Sequence, residues 1–222
     1  LLNNEGFYQR LGIQYYWYNK NYENFSCFLD KLKTKKRKNI IKEREYLKKN
    51  NIKIIIKRGD EICSEDINLF FKCYLNTINK KWSIAYLKHS FFDQILKSII
   101  KQKIVLIQAF EKNIFVGCSL HFIGEKNFYG RYWGCLKEIP FLHFELCYYS
   151  AIDFAIKNKL KKVEAGAQGE HKIARGYEPK LTYSNHWFGH NKLSPIIKKF
   201  LIEEKKKVKD TLIHLNQFMP FK

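Results

Sequence analysis

The chain is poor in methionine, proline and arginine, and it has no long hydrophobic run. Met219 is the only methionine, and four prolines are spread through 222 residues. No apolar run approaches the ~20 residues that a membrane span needs, and residues 1–5 lack the basic-then-apolar pattern of a signal peptide. The sequence therefore predicts a globular chain without a membrane span. Because residue 1 is Leu1, we expect the natural start to lie upstream.

The six cysteines do not form a recognisable framework. No two of them form a CxxC pair, and several lie in apolar stretches, where a reduced thiol packs as a small hydrophobe. We therefore expect a reducing, cytoplasmic location.

Two pairs of residues suggest metal ligands, His186 with His190 and His143 with Glu145. Neither pair has a third ligand at a recognisable spacing. No metal site is predicted.

Acidic residues are few relative to basic ones, which gives a formal net charge of +20. Such a charge normally indicates a nucleic acid or another polyanion as partner. The basic residues are mostly lysine, however, and A+T-rich coding would also produce them. A local cluster is more informative, and the predicted polyanion-binding residues are Lys35, Lys36, Arg37, Lys38 and Lys42 of one predicted helix. The alternative for this helix is a solvated charged face.

Hydrophobic periodicity predicts a mixed α/β (α+β) chain. The predicted strands are 13–18, 52–56, 104–110, 114–122, 128–135, 162–165 and 182–189, and the predicted helices are 25–32, 35–50, 64–79, 89–101, 141–158 and one from residue 194 that ends in a charged run at 203–209. Short turns join the strands between 104 and 135, so they should form an antiparallel meander. This order is that of the GNAT acyltransferase core, and we expect a mixed, mostly antiparallel sheet flanked by helices with a C-terminal helix.

Three segments, 130–135, 142–149 and 164–177, combine glycines with charged and aromatic residues. The third follows an apolar-charged alternation at 161–164, so it is predicted as a loop at the C-terminal end of a strand, where α/β folds bind ligands. The candidate catalytic residues are Glu164, Glu170 and His171. Glu170 and His171 are the candidate general bases, and Glu164 is a second carboxylate near them in sequence. The candidate substrate-binding residues are Arg131, Trp133, Glu145, Tyr148, Gln168, Lys172 and Arg175.

Each candidate also has a structural interpretation. Glu170 and His171 could brace the loop through hydrogen bonds instead of acting in catalysis. Arg131 could be a solvent-facing strand residue, and Glu145, if buried, is expected to pair with Arg131 or Arg175. Trp133 could be a core anchor instead of a substrate contact. Positive φ angles are expected at the three glycines of the loop, Gly166, Gly169 and Gly176.

Four segments resemble one bacterial family. They are residues 35–40, 131–134, 141–149 and 164–172, and the chain resembles the Fem-like predicted N-acyltransferase family, usually labelled peptidoglycan biosynthesis or recognition. The resemblance runs from about Gly12 onward. It implies a GNAT-type fold and transfer of an acyl or aminoacyl group to an amine. Because members of that family are longer at the N-terminus, residues 1–24 are expected to be the tail of an upstream GNAT-like half and residues 25–222 the C-terminal acyltransferase domain.

The residues are compatible with transfer that uses no enzyme nucleophile. Attack by an amine on an ester or thioester needs an uncharged amine and a stabilised oxyanion, and the chain has no GxSxG motif. The turn at 136–140 has no glycine and includes Pro140, so the ordinary backbone cradle for the pyrophosphate of coenzyme A is not expected.

The donor, acceptor and cofactor follow as expectations. Fem-type enzymes, which this chain resembles, use aminoacyl-tRNA, so we expect that donor, a cell-wall precursor amine as acceptor and no tightly bound cofactor. The alternatives are an acyl-CoA-dependent N-acetyltransferase with a divergent cradle, and a non-catalytic module that binds a precursor or RNA.

Overall fold

The computed structural model describes residues 6–80, 82–189 and 194–222. The chain divides into two compact units, a larger one of Trp17–Ala165 with Lys222 and a smaller one of Leu1–Tyr16 with Gly166–Phe221. The predicted boundary between residues 24 and 25 refers to an upstream half, and it stays a prediction.

The larger unit is a mixed sheet with helices. Its elements are helices α1 (Phe25–Asp30), α2 (Thr34–Lys49), α3 (Ser64–Lys80), α4 (His89–Leu96), α5 (Leu142–Phe144) and α6 (Ser150–Lys157), and strands β2 (Ile52–Arg58), β3 (Ile104–Glu111), β4 (Ile114–Ile123), β5 (Asn127–Cys135) and β6 (Lys162–Glu164). The strands follow the order β2-β3-β4-β5-β6. Neighbouring strands from β2 to β5 are antiparallel, and β6 pairs with β5 in parallel.

One apolar face of α3 builds much of the core of this unit. Ile67, Phe70 and Tyr74 recur at helical spacing and pack with Phe92 of α4 and Leu120 of β4. Strand β3 lies inside the sheet, and its residues from Ile104 to Ala109 are buried on both faces. The meander predicted for 104–135 is confirmed, as is the mixed, mostly antiparallel fold class.

The smaller unit contains an antiparallel strand pair and a long helix. Residues Tyr8–Tyr16 of strand β1 (Tyr8–Tyr18) belong to this unit and pair with β7 (Glu178–His186), from Tyr8 opposite His186 to Tyr16 opposite Glu178. Helix α7 (Ser194–Asn216) follows, and Arg10 Nη2 of β1 lies 2.6 Å from Glu204 Oε1 of α7. The segment that precedes β7 in the chain carries a 3₁₀ helix, Glu170–Arg175.

Several element bounds differ from the predictions because tertiary pairing overrides local pattern. Strand β1 begins five positions earlier than predicted and β7 begins at Glu178, since each supplies the other's ladder of hydrogen bonds. Trp187, expected within the last strand, follows it. The predicted helix 89–101 ends at Leu96, and Ser98 caps a 3₁₀ turn, Ile99–Lys103. Helix α7 continues past its lysine run to Asn216, because lysine is a good helix former.

The helix predicted at 141–158 contains a π-helical turn, Glu145–Tyr149, between α5 and α6. Such turns are rare and often occur at functional sites. Among the residues that the structure describes, no helix is long and apolar enough to cross a lipid bilayer.

Candidate functional site

A cavity of about 710 Å³ lies in the larger unit at the end of β5. Three elements and one loop form it: the last turns of α3, the end of β5, the loop before α5, and α5 itself. Its lining residues are Asn76, Thr77, Lys80, Trp133, Cys135, Glu138, Ile139, Pro140, Phe141, His143 and Phe144. A concave, largely apolar site with a few polar groups is typical of a small-molecule site.

Close packing of α3 on β5 forms one wall of the cavity. A Cβ atom added at Gly134 would lie 2.2 Å from the carbonyl oxygen of Cys73, so only glycine permits this approach. Asn76 Nδ2 donates a hydrogen bond of 2.6 Å to the Cys135 carbonyl, and Thr77 Oγ1 donates one of 3.1 Å to the Trp133 carbonyl. The polar side chains of α3 thus fix the last residues of β5.

A β-bulge interrupts β5 just before the cavity. Leu120 lies opposite Tyr132 whereas His121 lies opposite Gly130, which leaves Arg131 as the extra residue of β5. Bulges of this kind often occur beside active sites and re-aim the side chains around them. The Arg131 side chain is exposed, with its guanidinium 4.8 Å from the centre of the Tyr132 ring. Its proposed role toward substrate stays a prediction.

Part of the cavity wall is aromatic and includes an imidazole. The His143 ring lies 4.6 Å from the Trp133 ring and 5.2 Å from the buried Tyr148 ring. Phe141 adopts a left-handed backbone conformation with φ of 68°, which is strained for a residue with a bulky side chain, and its ring packs on Tyr46 at 5.4 Å. The sequence indicated His143 only as half of a weak metal pair.

The rim of the cavity carries one ion pair. Lys80 Nζ of α3 lies 2.5 Å from Glu138 Oε1, and the two side chains are 48% and 82% exposed. The hydrogen bond with Glu138 raises the pKa of Lys80, and the same bond lowers the pKa of Glu138. Both groups are therefore charged at neutral pH.

Cys135 contributes a thiol to the cavity wall. Burial raises the pKa of this thiol, and the Glu138 charge raises it further, although the positive charge of Lys80 partly offsets the two. The side chain is therefore a neutral thiol at pH 7, which is a poor nucleophile.

Glu145 begins the π-helical turn and is buried. Arg44 of α2 holds it with two hydrogen bonds of 3.0 and 2.8 Å, and Ser150 Oγ donates a third of 2.9 Å. The expectation that Arg131 or Arg175 would be its partner is therefore wrong. Arg44 lies 101 positions away in the chain, so no local pattern could identify it. Glu145 anchors the helix that carries His143.

The turn at the end of β6 and the loop that follows it contain the remaining predicted residues. Glu164 ends β6 and pairs with Lys162 at 2.7 Å. Positive φ angles of 79°, 100° and 89° at Gly166, Gly169 and Gly176 confirm the prediction for these glycines.

Two basic side chains hold the backbone of this loop. Lys172 is buried, and its ammonium donates to the carbonyls of Gly166, at 3.2 Å, and Gln168. Arg175 is also buried and donates to the His171 carbonyl at 2.9 Å. Both residues brace the loop, and a role for them in binding an anionic substrate stays a prediction.

The predicted catalytic pair of this loop is exposed, as is Gln168. Partial burial lowers the pKa of His171, and the positive charges of Arg175 and Lys172 lower it further. The His171 imidazole is therefore neutral at pH 7 and able to accept a proton. Glu170 precedes it in the same 3₁₀ helix.

The basic helix α2 presents part of its predicted cluster to solvent. Lys35, Lys38 and Lys42 are exposed on one face, opposite the buried residue Ile40. Arg37 is engaged with Asp30 at 3.0 Å, and Lys36 is half-buried. The exposed lysines form a ridge, which we define as Lys35, Lys38 and Lys42.

The predicted site residues are divided between the two units. Arg131, Trp133, Glu145, Tyr148 and Glu164 belong to the larger one, whereas Gln168, Glu170, His171, Lys172 and Arg175 belong to the smaller one. Of these ten, Trp133 lines the cavity.

Within residues 6–80, 82–189 and 194–222, no three His, Cys, Asp or Glu side chains are placed to hold a metal ion. His190, one of the weak metal candidates, lies outside the described residues.

A family model and several solved structures resemble this chain. The model of the FemAB-like family, described as peptidoglycan biosynthesis/recognition, matches residues 1–222. FemX is 12% identical with a TM-score of 0.60, covering 88% of this chain and 69% of its own. L-PGS from Bacillus licheniformis is 10% identical with a TM-score of 0.57, covering 90% of this chain and 69% of its own.

A C-terminal DUF2156 domain from Agrobacterium fabrum is 8% identical with a TM-score of 0.63, covering 90% of this chain and 67% of its own. This chain therefore spans about two thirds of the length of these structures. At such identities the likeness establishes the fold alone. Among proteins with curated descriptions, none matches the sequence.

Proposed function

The chain belongs to the FemAB-like family, and on that premise we propose that it transfers an aminoacyl or other acyl group to the amine of a peptidoglycan precursor. The observation that carries this proposal is the cavity at the end of β5, where an imidazole, an ion pair and an apolar wall surround about 710 Å³. The proposed location is the cytoplasm, where aminoacyl-tRNA is available.

The proposed reaction is a direct transfer. The acceptor amine gives its proton to a base and attacks the carbonyl carbon of the donor ester, a C–N bond forms, and the C–O bond to the donor breaks. The departing donor oxygen takes up the proton that the base accepted from the amine and leaves as a hydroxyl. We propose His143 as the base because it lies in the cavity wall. Glu164, Glu170 and His171 remain predicted catalytic residues.

The loop before α5 supports a donor other than coenzyme A. A pyrophosphate cradle needs free backbone amides, but the amides of Leu136 and Lys137 donate to the Val116 carbonyl and that of Leu142 donates to Ile139. Pro140 has no amide hydrogen. Aminoacyl-tRNA is therefore the proposed donor, and the lysine ridge on α2 would contact its phosphates without reading sequence.

An equilibrium titration tests the donor. Charged tRNA, uncharged tRNA and acetyl coenzyme A are titrated in competition, at physiological salt, with the full-length protein. Preferential binding of charged tRNA is expected. Binding of acetyl coenzyme A alone would make the protein an N-acetyltransferase, and no binding of any donor would favour a non-catalytic module.

A charge-neutralised variant tests the ridge. Changing Lys35, Lys38 and Lys42 together to Gln should reduce the salt slope of tRNA binding by about 2 to 3. The matched control changes the exposed lysines Lys206, Lys207 and Lys209 of α7 to Gln and removes the same charge. Equal effects from the two variants would show that net charge, not the ridge, determines binding.

A further inference from the structure

The cavity combines an apolar, aromatic wall with a charged rim. Trp133, Ile139, Pro140, Phe141 and Phe144 supply the apolar surface. Methyl-sized groups would leave most of that surface in contact with water, whereas a large apolar group would cover it. The wall therefore favours a ligand with a bulky apolar or aromatic part.

The rim offers a carboxylate to a cation. Glu138 contacts Lys80 through Oε1 at 2.5 Å, and a carboxylate has two oxygens with about four acceptor sites. A second cation can therefore bind Glu138 beside Lys80. Because the pair is exposed and such pairs contribute little to stability, a ligand can rearrange it at small cost.

We propose that this cavity binds the aminoacyl end of the donor and selects a large apolar or aromatic side chain. This inference rests on the proposed function and deepens it. The α-ammonium group lies against Glu138 and the side chain covers the wall formed by Trp133, Phe141 and Phe144. The aminoacyl ester has no free carboxylate, so its single positive charge can take the place of Lys80 beside Glu138 when the exposed ion pair rearranges.

The same arrangement discriminates against other amino acids. Glycine and alanine leave the aromatic wall uncovered, and each methylene lost costs about fourfold in affinity. A lysine side chain would bring a second positive charge against an apolar wall, where it loses hydration without gaining a partner. Phenylalanine and leucine are the side chains that fit the wall best.

Amino-acid amides test this inference directly, because they keep the α-ammonium and block the carboxylate as an ester does. The probes are the amides of L-phenylalanine, L-leucine, L-alanine and L-lysine, together with N-acetyl-L-phenylalanine amide. Their affinities for the full chain are measured by calorimetry at pH 7 and physiological salt. The phenylalanine and leucine amides should bind at least about tenfold more tightly than the alanine and lysine amides.

Variants identify the groups responsible. In the unaltered chain, acetylation should weaken binding of phenylalanine amide about threefold, and Glu138→Gln should abolish that difference. Phe144→Ala should reduce the preference for phenylalanine over alanine. The matched control is Glu125→Gln, which changes an exposed glutamate in the turn between β4 and β5. This control should change neither the effect of acetylation nor the preference for phenylalanine over alanine.

Two failures are distinguishable. Equal binding of the phenylalanine and alanine amides, or binding that ignores both Glu138→Gln and Phe144→Ala, would overturn this inference and leave the titration with charged tRNA untouched. Absence of charged tRNA binding would overturn the proposed transfer from aminoacyl-tRNA, and with it the assignment of an aminoacyl ligand, even if the amides bind.

Discussion

Single residues determine what chemistry the cavity can support. The Cys135 thiol is kept neutral by burial, the His143 ring contacts the Trp133 ring at 4.6 Å, and Gly134 permits the approach of α3. A wall with a neutral thiol and an imidazole is suited to proton transfer and not to covalent catalysis by sulfur. Three substitutions separate these contributions.

Replacing Cys135 should leave turnover nearly intact. Because the thiol is protonated at pH 7, Cys135→Ala is expected to lower kcat by less than about tenfold, whereas loss of a true nucleophile costs orders of magnitude more. The measurement is kcat with the donor identified by titration, together with a mass spectrum of the enzyme during turnover. A covalent acyl adduct on Cys135 would contradict direct transfer.

Replacing His143 should affect chemistry more than folding. His143→Asn keeps a polar group in the wall but removes the base, so kcat should fall by about 10² or more with little change in Tm. His171→Asn is the matched comparison, because His171 is the base predicted on the loop. If His171→Asn alone abolishes turnover, the base lies on the loop and not in the cavity.

Gly134 should be intolerant of any side chain. In Gly134→Ala the new Cβ would clash with the Cys73 carbonyl at 2.2 Å, and moving α3 away should cost about 2 kcal/mol or more. Gly124→Ala is the control, since its Cβ would first meet the Tyr129 ring, a movable side chain. Urea unfolding of both variants gives the comparison. Equal stability would mean that α3 tolerates the shift.

At the scale of elements, hydrogen bonds link α2 and β4 to the π-helical turn behind the cavity. Arg44 binds Glu145, and Tyr149 donates to Glu43. The carbonyl of Leu146, within the π turn, accepts a hydrogen bond of 3.0 Å from Ser119. Each contact holds the π-helical turn that continues α5, the helix that carries His143, so the helix and the cavity wall should be lost together.

Breaking the Arg44 pair should destabilise the fold far more than breaking an exposed pair. Arg44→Met leaves a buried carboxylate with Ser150 as its remaining partner among those described, at a cost of about 3 kcal/mol. Arg37→Met removes the exposed pair with Asp30 and should cost less than about 1 kcal/mol. Midpoints of urea unfolding measure both, and similar shifts would contradict the structural role of Glu145.

Most elements could be predicted from the sequence, but their irregularities could not. The meander was evident because short charged turns separate three apolar runs. The bulge at Arg131 and the π turn at Glu145 depend on hydrogen bonds with distant segments, which periodicity cannot reveal. Trp133 was predicted for the site, whereas Asn76, Thr77 and Lys80 were not, since only the close contact at Gly134 brings α3 to β5.

At the scale of the whole molecule, a buried histidine should govern stability toward acid. His121 is buried and stacked on Phe128 at 4.7 Å. Its Nε2 lies 2.8 Å from Ser119 Oγ, and since the single proton of that hydroxyl goes to the Leu146 carbonyl, Nε2 must be the donor. Its buried Nδ1 has no hydrogen-bond partner among the described residues, so a proton there would be unsatisfied. The fold therefore favours the neutral ring, and burial lowers the pKa of His121 to about 3.

The sign of the pH effect follows from the lowered pKa. An unfolded histidine takes up a proton near pH 6.5, whereas folded His121 does not until about pH 3, so stability is full above pH 6.5 and falls below it. The expected slope is about 1.4 kcal/mol per pH unit. His121→Phe should remove that slope between pH 6 and pH 4, and exposed His214→Gln should not. If the unaltered chain and His121→Phe have the same slope, His121 takes up its proton in the folded state as well as in the unfolded state.

The smaller unit joins two segments that lie far apart in the sequence, and this affects how the protein folds. The Arg10 and Glu204 side chains are 194 positions apart, so closing the chain around them costs about 5 kcal/mol of entropy in an open chain. Compaction of the intervening residues shortens that loop. During synthesis β1 cannot pair until β7 has been made, and β7 follows every strand of the larger unit in the chain. The larger unit should therefore form first, and pairing of β1 with β7 should be the slow final step of folding.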